Sequence, residues 1–293
     1  MRAAVMGSPI AHSLSPFLHR AAYREMGLAG WSYEAFECDE ARLPELLGEL
    51  TPVRRQGRAD EGADEGAGED AWAGLSLTMP LKRAVLPLLD TVSELAVEVG
   101  GANTVVFRDG RRHGDNTDVY GIVRALAEAG VHAPRSAVVL GGGATAASTL
   151  AALRDLGLHA ATLLVREPAR AAGTAEVAER LGMALAVETL DKLDVFTGAD
   201  LVVSTLPGGA ADAFADRLAR VPALFDVVYS PWPTRAAAAV AAAGGTVVGG
   251  FAMLLHQAVR QVELMTGRAD VPVEAMRAAG EAEIRRRAAT APA

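Results

Sequence analysis

What the sequence lacks narrows its possible functions. It has one cysteine, Cys38, in 293 residues. That excludes an intrachain disulfide framework and fits a reducing cytosol, so a cytoplasmic protein is expected. Cys38 itself reads as a small buried residue just after a strand. No apolar run is long enough to span a bilayer, because Arg, Asp or Gly interrupts each one. Residues 1–10 read as a short strand ending at Gly7 rather than as a secretory leader. Positive charge is in deficit: the net charge is -8 and the pI is near 5.3. Phosphate backbones need a basic surface, so nucleic acid is not an expected partner. A small anionic ligand needs only local positive charge and stays open. His12 and His256 have no second ligand at zinc spacing, and both read as packing or hydrogen-bonding histidines. No metal is expected. Oligomeric state leaves no trace in the sequence.

What is present is ordinary in amount and specific in pattern. The chain is 51% hydrophobic and 22% charged, a globular composition. Its length allows two domains, each with its own core. The high alanine and arginine content carries no functional information. Strand-like and helix-like runs alternate from end to end, as in an α/β protein. Early strands are expected at 3–6, 32–37 and 73–77, with helices at 16–26 and 41–50. Residues 52–70 break this rhythm with glycines and mixed charges and nothing to bury, so a mobile insertion is expected there.

The chain restarts near Asp118. Helices are expected at 119–129 and 144–156. Apolar runs at 136–140, 161–165, 201–204, 224–229 and 246–248 read as strands buried on both faces, hence a parallel sheet. Two further helices, 253–266 and 273–288, have no strands after them.

Several motifs carry chemistry. Residues 7–19 read G-S-P-I-A-H-S-L-S-P-F-L-H. Ser13 and Ser15 stand on a rigid loop-to-helix junction between Gly7–Pro9 and Pro16. Their hydroxyls can grip a polyhydroxylated or anionic ligand, or they can simply cap the helix. Residues 74–82 read G-L-S-L-T-M-P-L-K, 101–104 G-A-N-T, and 114–118 G-D-N-T-D. Three glycines, Gly141, Gly142 and Gly143, follow a strand and open a helix with Ala144, Thr145 and Ala146. Gly141-x-Gly143-x-x-Ala146 is the dinucleotide fingerprint. The first glycine permits the tight turn, the second lets backbone approach a pyrophosphate, and alanine suits close helix packing at the third place. A plain tight turn is the structural alternative. An NAD reader would carry an acid at the end of the second strand, about 20 residues on. That strand ends Leu164-Val165-Arg166. Arg166 and Arg170 can instead fork a 2′-phosphate, which points to NADP. Both arginines can equally be a solvated helix start.

Reducing a ketone leaves charge on its oxygen, so a cation or proton donor must stand beside it. Lys82, after the Pro80 turn, is the candidate. Asp118, at the junction of the two domains where a cleft is expected, supplies a carboxylate to tune and orient it.

In order and spacing, these motifs resemble the shikimate dehydrogenase family over nearly the whole chain. The resemblance implies NADP-dependent interconversion of 3-dehydroshikimate and shikimate in aromatic amino-acid biosynthesis. It implies a discontinuous substrate-binding domain, residues 1–117 completed by 251–293, and a Rossmann-like NADP-binding domain, residues 118–250. Lys82 and Asp118 match the catalytic pair; whether Lys82 moves the proton or only polarises substrate stays open. Ser13 and Ser15 match carboxylate-binding serines. Thr78 and Asn103 match hydroxyl-binding groups, and Tyr229 and Gln257 match substrate contacts. Gly250 and Met253 match positions near the nicotinamide. Two departures stand out. Ser76 replaces the usual asparagine before the threonine, which keeps a quinate or aminoshikimate dehydrogenase in play. Val165 and Glu167 replace an amide and a hydroxyl beside the cofactor arginines. A non-catalytic ligand sensor is the reading from another class; intact Lys82 and Asp118 and the lack of a basic patch count against it.

Overall fold

The structure is a computed structural model that describes residues 1–51 and 71–290. The expected insertion at 52–70 lies outside the described residues. The chain forms two compact units. One comprises Met1–Val97, Gly101–Thr117 and Ala258–Ala293; the other Glu98–Gly100 and Asp118–Gln257.

The first unit opens with β1 (Arg2–Gly7), α1 (Ser15–Glu25), β2 (Ser32–Glu37) and α2 (Leu43–Leu50). It continues with β3 (Trp72–Leu77), α3 (Leu81–Ala84), β4 (Thr91–Val92), α4 (Glu94–Val99), β5 (Thr104–Arg108) and β6 (Arg111–Asp115). Its sheet runs β2-β1-β3-β5-β6-β4. β2, β1 and β3 are parallel, whereas β5 is antiparallel to both β3 and β6. The antiparallel hairpin β5–β6 is not among the expected strands. Its turn, at Asp109 and Gly110, takes positive φ at both residues, the geometry that suits a two-residue hairpin.

Side chains alternate across this sheet, and the alternation sorts its faces. Ala4, Met6, Leu75, Leu77, Val105 and Phe107 pack with Leu43 and Leu47 of α2 and Leu81 of α3 in one buried cluster. The intervening residues, Ala3, Val5, Tyr33, Gly74 and Ser76, therefore share the opposite face.

The second unit begins with α5 (Asp118–Glu128), β7 (Ala137–Leu140), α6 (Ala144–Asp155), β8 (Ala160–Val165) and α7 (Ala172–Arg180). Then come β9 (Ala184–Thr189), β10 (Leu201–Ser204), α8 (Ala215–Leu218), β11 (Ala223–Asp226), α9 (Arg235–Ala242) and β12 (Thr246–Gly249). All six strands are parallel in the order β12-β11-β10-β7-β8-β9, the doubly wound arrangement with β7 as its first strand. The α/β, two-domain reading of the sequence holds. Expected strand 224–229 stops earlier, at Asp226. There the buried Asp226 carboxylate accepts from Thr234 Oγ1 (2.9 Å) and from the Val228 amide (3.3 Å), which draws the chain out of the ladder.

Two helices end the chain. α10 (Gly250–Thr266) starts three residues before its expected limit, and α11 is Val273–Thr290. Residues of α10 from Ala258 onward, with all of α11, belong to the first unit. α11 packs against α1.

Leu75 is wholly inaccessible at the centre of the first sheet. Leu75→Ala is expected to cost about 2–5 kcal/mol, the range for a leucine deleted from a packed core. Urea denaturation of the two proteins measures it.

Candidate active site

In the first unit, the local folding of three segments sets out the expected ligand groups. The serine loop enters α1 with Leu14 at the cap position and Pro16 in the first turn, and no side chain caps the helix. Ser13 Oγ instead accepts the Ser15 amide (3.2 Å). The capping alternative for these serines thus fails for the helix amides further on. The loop is tied to the C-terminal helix: the Arg287 guanidinium donates to the carbonyls of His12 (2.6 Å) and Ser13 (3.2 Å). Glu283, almost inaccessible, in turn holds Arg287 (2.6 Å) and Arg286 (2.7 Å). The two guanidiniums pull its carboxyl down to about 2.

The second segment is the end of β3 and the turn after it. The Thr78 amide donates to Met6 (2.9 Å) and the Ser8 amide to Met79 (2.9 Å), which lashes the turn to the end of β1. Only glycine fits at position 7, since a Cβ there would lie 2.3 Å from Thr78 Cγ2 and 2.9 Å from the Met79 carbonyl oxygen. Lys82, half-buried on α3, is fixed through its backbone: its carbonyl accepts the Ala102 amide (2.8 Å). The third segment follows. Asn103 accepts the Thr117 amide on Oδ1 (2.8 Å) and donates from Nδ2 to Thr117 Oγ1 (3.0 Å). Asn116 donates to the Gly101 carbonyl (2.8 Å).

Three residues not picked out in the sequence join these segments. Tyr33 donates to Ser76 Oγ (2.6 Å), and Ser76 donates to Gln261 Oε1 (2.7 Å). Gln261 Nε2 donates to the Asn103 carbonyl (3.2 Å) and to Thr104 Oγ1 (3.1 Å). His19 stacks on Tyr33 with ring centroids 4.0 Å apart, and its Nδ1 lies 3.0 Å from the Ser15 carbonyl. A signal for Gln261 was available: it is one helical turn beyond Gln257 on the same helix. For Tyr33 the signal was its inward place in a strand of alternating exposure.

The second unit holds the remaining candidates. Gly141 takes φ +99°, which only glycine adopts readily, and a Cβ there would meet Thr205 Oγ1 at 2.7 Å. The Gly141 amide donates to Leu164 (2.9 Å), and Thr174 Oγ1 donates to the Gly142 carbonyl (2.8 Å). Gly143 precedes α6 with open space where its side chain would be, and Ala146 is fully buried. Ala144 and Thr145 form the first turn of that helix, whose amides attract anions. Arg166 and Arg170 are exposed just past β8, beside Glu167, and no acid ends that strand. These residues fit a dinucleotide carrying a 2′-phosphate.

Asp118 is the first residue of α5 and is buried. Tyr229 is half-buried beyond β11, and Met253 and Gln257 are buried on α10. Gln257 Nε2 donates to the Leu254 carbonyl (2.9 Å). Gly250 has a packing role of its own: a Cβ there would lie 1.9 Å from the Val227 carbonyl oxygen. His256 is buried on α10, with Nε2 2.9 Å from Glu128 Oε1. The structure thus gathers Ser13, Ser15, Ser76, Thr78, Lys82 and Asn103 in the first unit. Asp118, Tyr229, Gly250, Met253, Gln257 and the glycine turn belong to the second.

A doubly wound sheet with a glycine turn before its first helix, joined to a unit rich in buried hydroxyls, defines a dinucleotide-dependent enzyme class. Comparison narrows the class. Residues 5–105 match the model of the shikimate dehydrogenase substrate binding domain, and residues 250–279 that of the shikimate 5'-dehydrogenase C-terminal domain. The shikimate dehydrogenase (NADP(+)) of Oleidesulfovibrio alaskensis is 34% identical over 90% of this chain and 89% of its own length. The crystal structure of Mycobacterium tuberculosis shikimate dehydrogenase superposes with a TM-score of 0.83 at 41% identity, covering 96% of this chain and 99% of that one. The Thermus thermophilus shikimate 5-dehydrogenase, crystallised with NADP(H) and shikimate, gives a TM-score of 0.77 at 33% identity over 96% and 99% of the two chains. The chain belongs to the shikimate dehydrogenase family.

Two outcomes follow from the site's packing. Gly250→Ala forces a methyl into main chain that has nowhere to move, and a fall in melting temperature is expected, with a cost of about 1–3 kcal/mol. Burial pushes His19 down to about 4 from its ordinary 6.5. The unfolded chain therefore protonates first. The contribution of neutral His19 to stability is whole above about pH 6.5 and is lost as pH falls toward 4, where the folded protein also takes up the proton. Unfolding free energies across that window should fall less steeply for His19→Asn than for the wild type.

Proposed function

We propose that the protein is an NADP-dependent oxidoreductase that interconverts 3-dehydroshikimate and shikimate in aromatic amino-acid biosynthesis. One observation carries the reading: the first unit brings two loop hydroxyls, two strand-end hydroxyls, an asparagine and a half-buried lysine to neighbouring segments. That set suits a small ring with one carboxylate and several hydroxyls, and family membership supports it.

Each side chain has a role in this reading. Ser13 and Ser15 donate to the carboxylate. Ser76, Thr78 and Asn103 take the ring hydroxyls, with Tyr229 and Gln257 as further substrate contacts. The nicotinamide cofactor, when bound, takes up or returns the hydride. Gly141, Gly142, Gly143, Ala144 and Thr145 would hold its pyrophosphate, Arg166 and Arg170 its 2′-phosphate, and Gly250 and Met253 would flank the ring. The chain's own task is to manage the proton and the charge on the reacting oxygen. Lys82 sets an ammonium at that oxygen, where negative charge develops during ketone reduction. Asp118 supplies the second acid–base group. The proposed division of labour is residues 1–117 with 251–293 for substrate and 118–250 for cofactor, although residues 251–257 group with the second compact unit.

Among the described residues, no helix is long and apolar enough to cross a membrane. Cys38, the one cysteine, is buried, and burial raises its thiol pKa, which disfavours the reactive thiolate. The proposed setting is the cytoplasm, with small molecules rather than nucleic acid as partners.

Shikimate with NADP is expected to be the productive pair; faster turnover of quinate, or of NAD, would overturn the assignment. Lys82→Ala and Asp118→Asn should each lower turnover by roughly two or more orders of magnitude. The double variant should be little worse than the worse single, because groups serving one step are non-additive. Independent, multiplicative losses would separate their roles. Replacing Arg166 and Arg170 together by alanine should raise the Michaelis constant for NADP far more than that for NAD, which has no 2′-phosphate to lose. Equal effects on both cofactors would make these arginines surface residues.

A further inference from the structure

The serine loop is anchored on both sides of its turn. Ahead of the serines, Glu37 accepts the Ile10 amide (2.9 Å) and the Ser8 hydroxyl (2.5 Å). The second anchor comes from the last helix. Arg287 of α11 forks two consecutive main-chain carbonyls, His12 through Nη1 (2.6 Å) and Ser13 through Nη2 (3.2 Å). Its remaining nitrogen, Nε, donates to Glu283 (2.6 Å), one helical turn back on the same face. Its guanidinium carbon lies 5.6 Å from the centre of the Phe17 ring on α1. Every nitrogen of this guanidinium therefore has an acceptor, which leaves the side chain one placement.

Glu283 is 4% exposed. Burying a carboxylate is costly unless charged donors answer it, and apolar side chains can join two helices as well. An apolar contact cannot, however, aim a fork at main-chain oxygens. The consequence falls on Ser13. Peptide units are planar, so fixing a carbonyl fixes its whole plane. The His12 and Ser13 carbonyls belong to the two planes that flank the Ser13 Cα. Holding both fixes φ and ψ of Ser13, and with them the direction of its Cβ. Ser13 Oγ already accepts the Ser15 amide (3.2 Å), which leaves its hydroxyl proton for an outside acceptor.

We propose that Arg287 is a positioning residue for the substrate carboxylate: its fork fixes both peptide planes at Ser13 and so the direction in which the Ser13 hydroxyl is presented. The inference rests on the functional reading that Ser13 faces that carboxylate. Charge favours the same ligand. Two guanidiniums against one carboxylate leave one positive charge beside the loop, in a chain whose net charge is -8.

The test uses the full-length protein. Arg287→Ala should raise the Michaelis constant for shikimate about tenfold, the scale of a lost charged hydrogen bond. Turnover and the Michaelis constant for NADP should stay within about twofold. Arg286 is the control, because it shares Glu283 with Arg287, at 2.7 Å through both Nε and Nη2. Arg286→Ala should lower the melting temperature and leave the Michaelis constant for shikimate within about twofold. A purely structural Arg287 would make the two variants alike. Ser13→Ala and Arg287→Ala together should be no worse than the worse single, since one acts through the other. Multiplicative losses refute the proposal.

Arg287→Lys is the milder variant, informative even where Arg287→Ala folds poorly. It keeps the charge and loses the fork, so the Michaelis constant for shikimate should stay at least about threefold above wild type. Full recovery would assign the effect to charge alone and overturn the positioning role. A second readout needs no substrate. The Ser13 amide donates to Ile10 (2.9 Å) and the Ser15 amide to Ser13 Oγ. Hydrogen exchange of both amides in the unligated protein should quicken in Arg287→Ala and not in Arg286→Ala. Unchanged exchange refutes the anchoring. If the wild type neither binds nor oxidises shikimate, the functional reading fails, and the exchange rates still decide whether Arg287 holds the loop.

Discussion

A primary amide at Gln261, 1% exposed, ties the returning helix α10 to β3 and to the start of β5 in the first unit. A buried amide that misses its partners costs about 1–3 kcal/mol, so its surroundings must answer each of its hydrogen-bonding sites. They do so with Ser76 from β3 and with Asn103 and Thr104 at the start of β5. These segments are far apart in the chain, and α10 returns to them after the whole of the second unit has been built. Apolar packing alone would let that returning helix slide or rotate. The amide fixes its register, because no other residue of the turn offers the same pattern of donors and an acceptor. The hydroxyls and the asparagine assigned to substrate are thereby held before any ligand arrives, which lowers the ordering cost of binding.

The same economy governs the close approaches. Gly7 lets the Thr78 turn lie on the end of β1, and Gly250 lets α10 begin against the Val227 carbonyl. Gly121 admits the Met253 carbonyl oxygen, 2.7 Å from where its Cβ would be. Each is a place where one main chain meets another, and each adjoins a residue with an assigned role. Substitution at such a position acts on the neighbour's placement first and on hydrophobic area second.

The fold was legible in the sequence wherever a run was long and its period clear. Strand 32–37 and the start of the glycine-turn helix at Ala144 coincide with the observed elements. The apolar runs of the second unit read as parallel strands because both faces are covered. The hairpin β5–β6 escaped because Arg111, Arg112 and Asp115 make its second strand polar, and its pairing depends on β3 and β4 rather than on its own pattern. Strand 224–229 was read too long because Val227, Val228 and Tyr229 have strand-like side chains. A buried carboxylate hydrogen-bonding forward to Val228 and Thr234 overrides that propensity, and sequence pattern carries no mark of it. Among the candidate site residues, those within motifs were visible, whereas Tyr33 and Gln261 were marked only by their positions in their elements and His19 not at all. Their importance lies in which hydroxyl they meet across a sheet or a helix, and that is a property of packing.

The distribution of cations bears on the proposed chemistry. Lys82 and Lys192 are the only lysines of a sequence whose other basic side chains of high pKa are all arginine. Lys192 sits on the surface and pairs with Glu188. Lys82, half-buried on α3, is the one assigned to the proposed site. A guanidinium would offer a wider fork and a stronger hold on a carboxylate, but it does not give up its proton in proteins. An ammonium is compact, and its proton can leave at a cost that burial and neighbours adjust. Had position 82 served only to bind an anion, arginine would have met the need in a chain that uses it almost everywhere else. That lysine stands there supports placing the proton, as well as the charge, at Lys82. The structure around it serves the same end: the Lys82 carbonyl is bonded to Ala102, beside the Asn103 that closes the Gln261 network. The segment that carries the cation and the segment that carries the hydroxyl-binding groups are therefore set by one run of backbone.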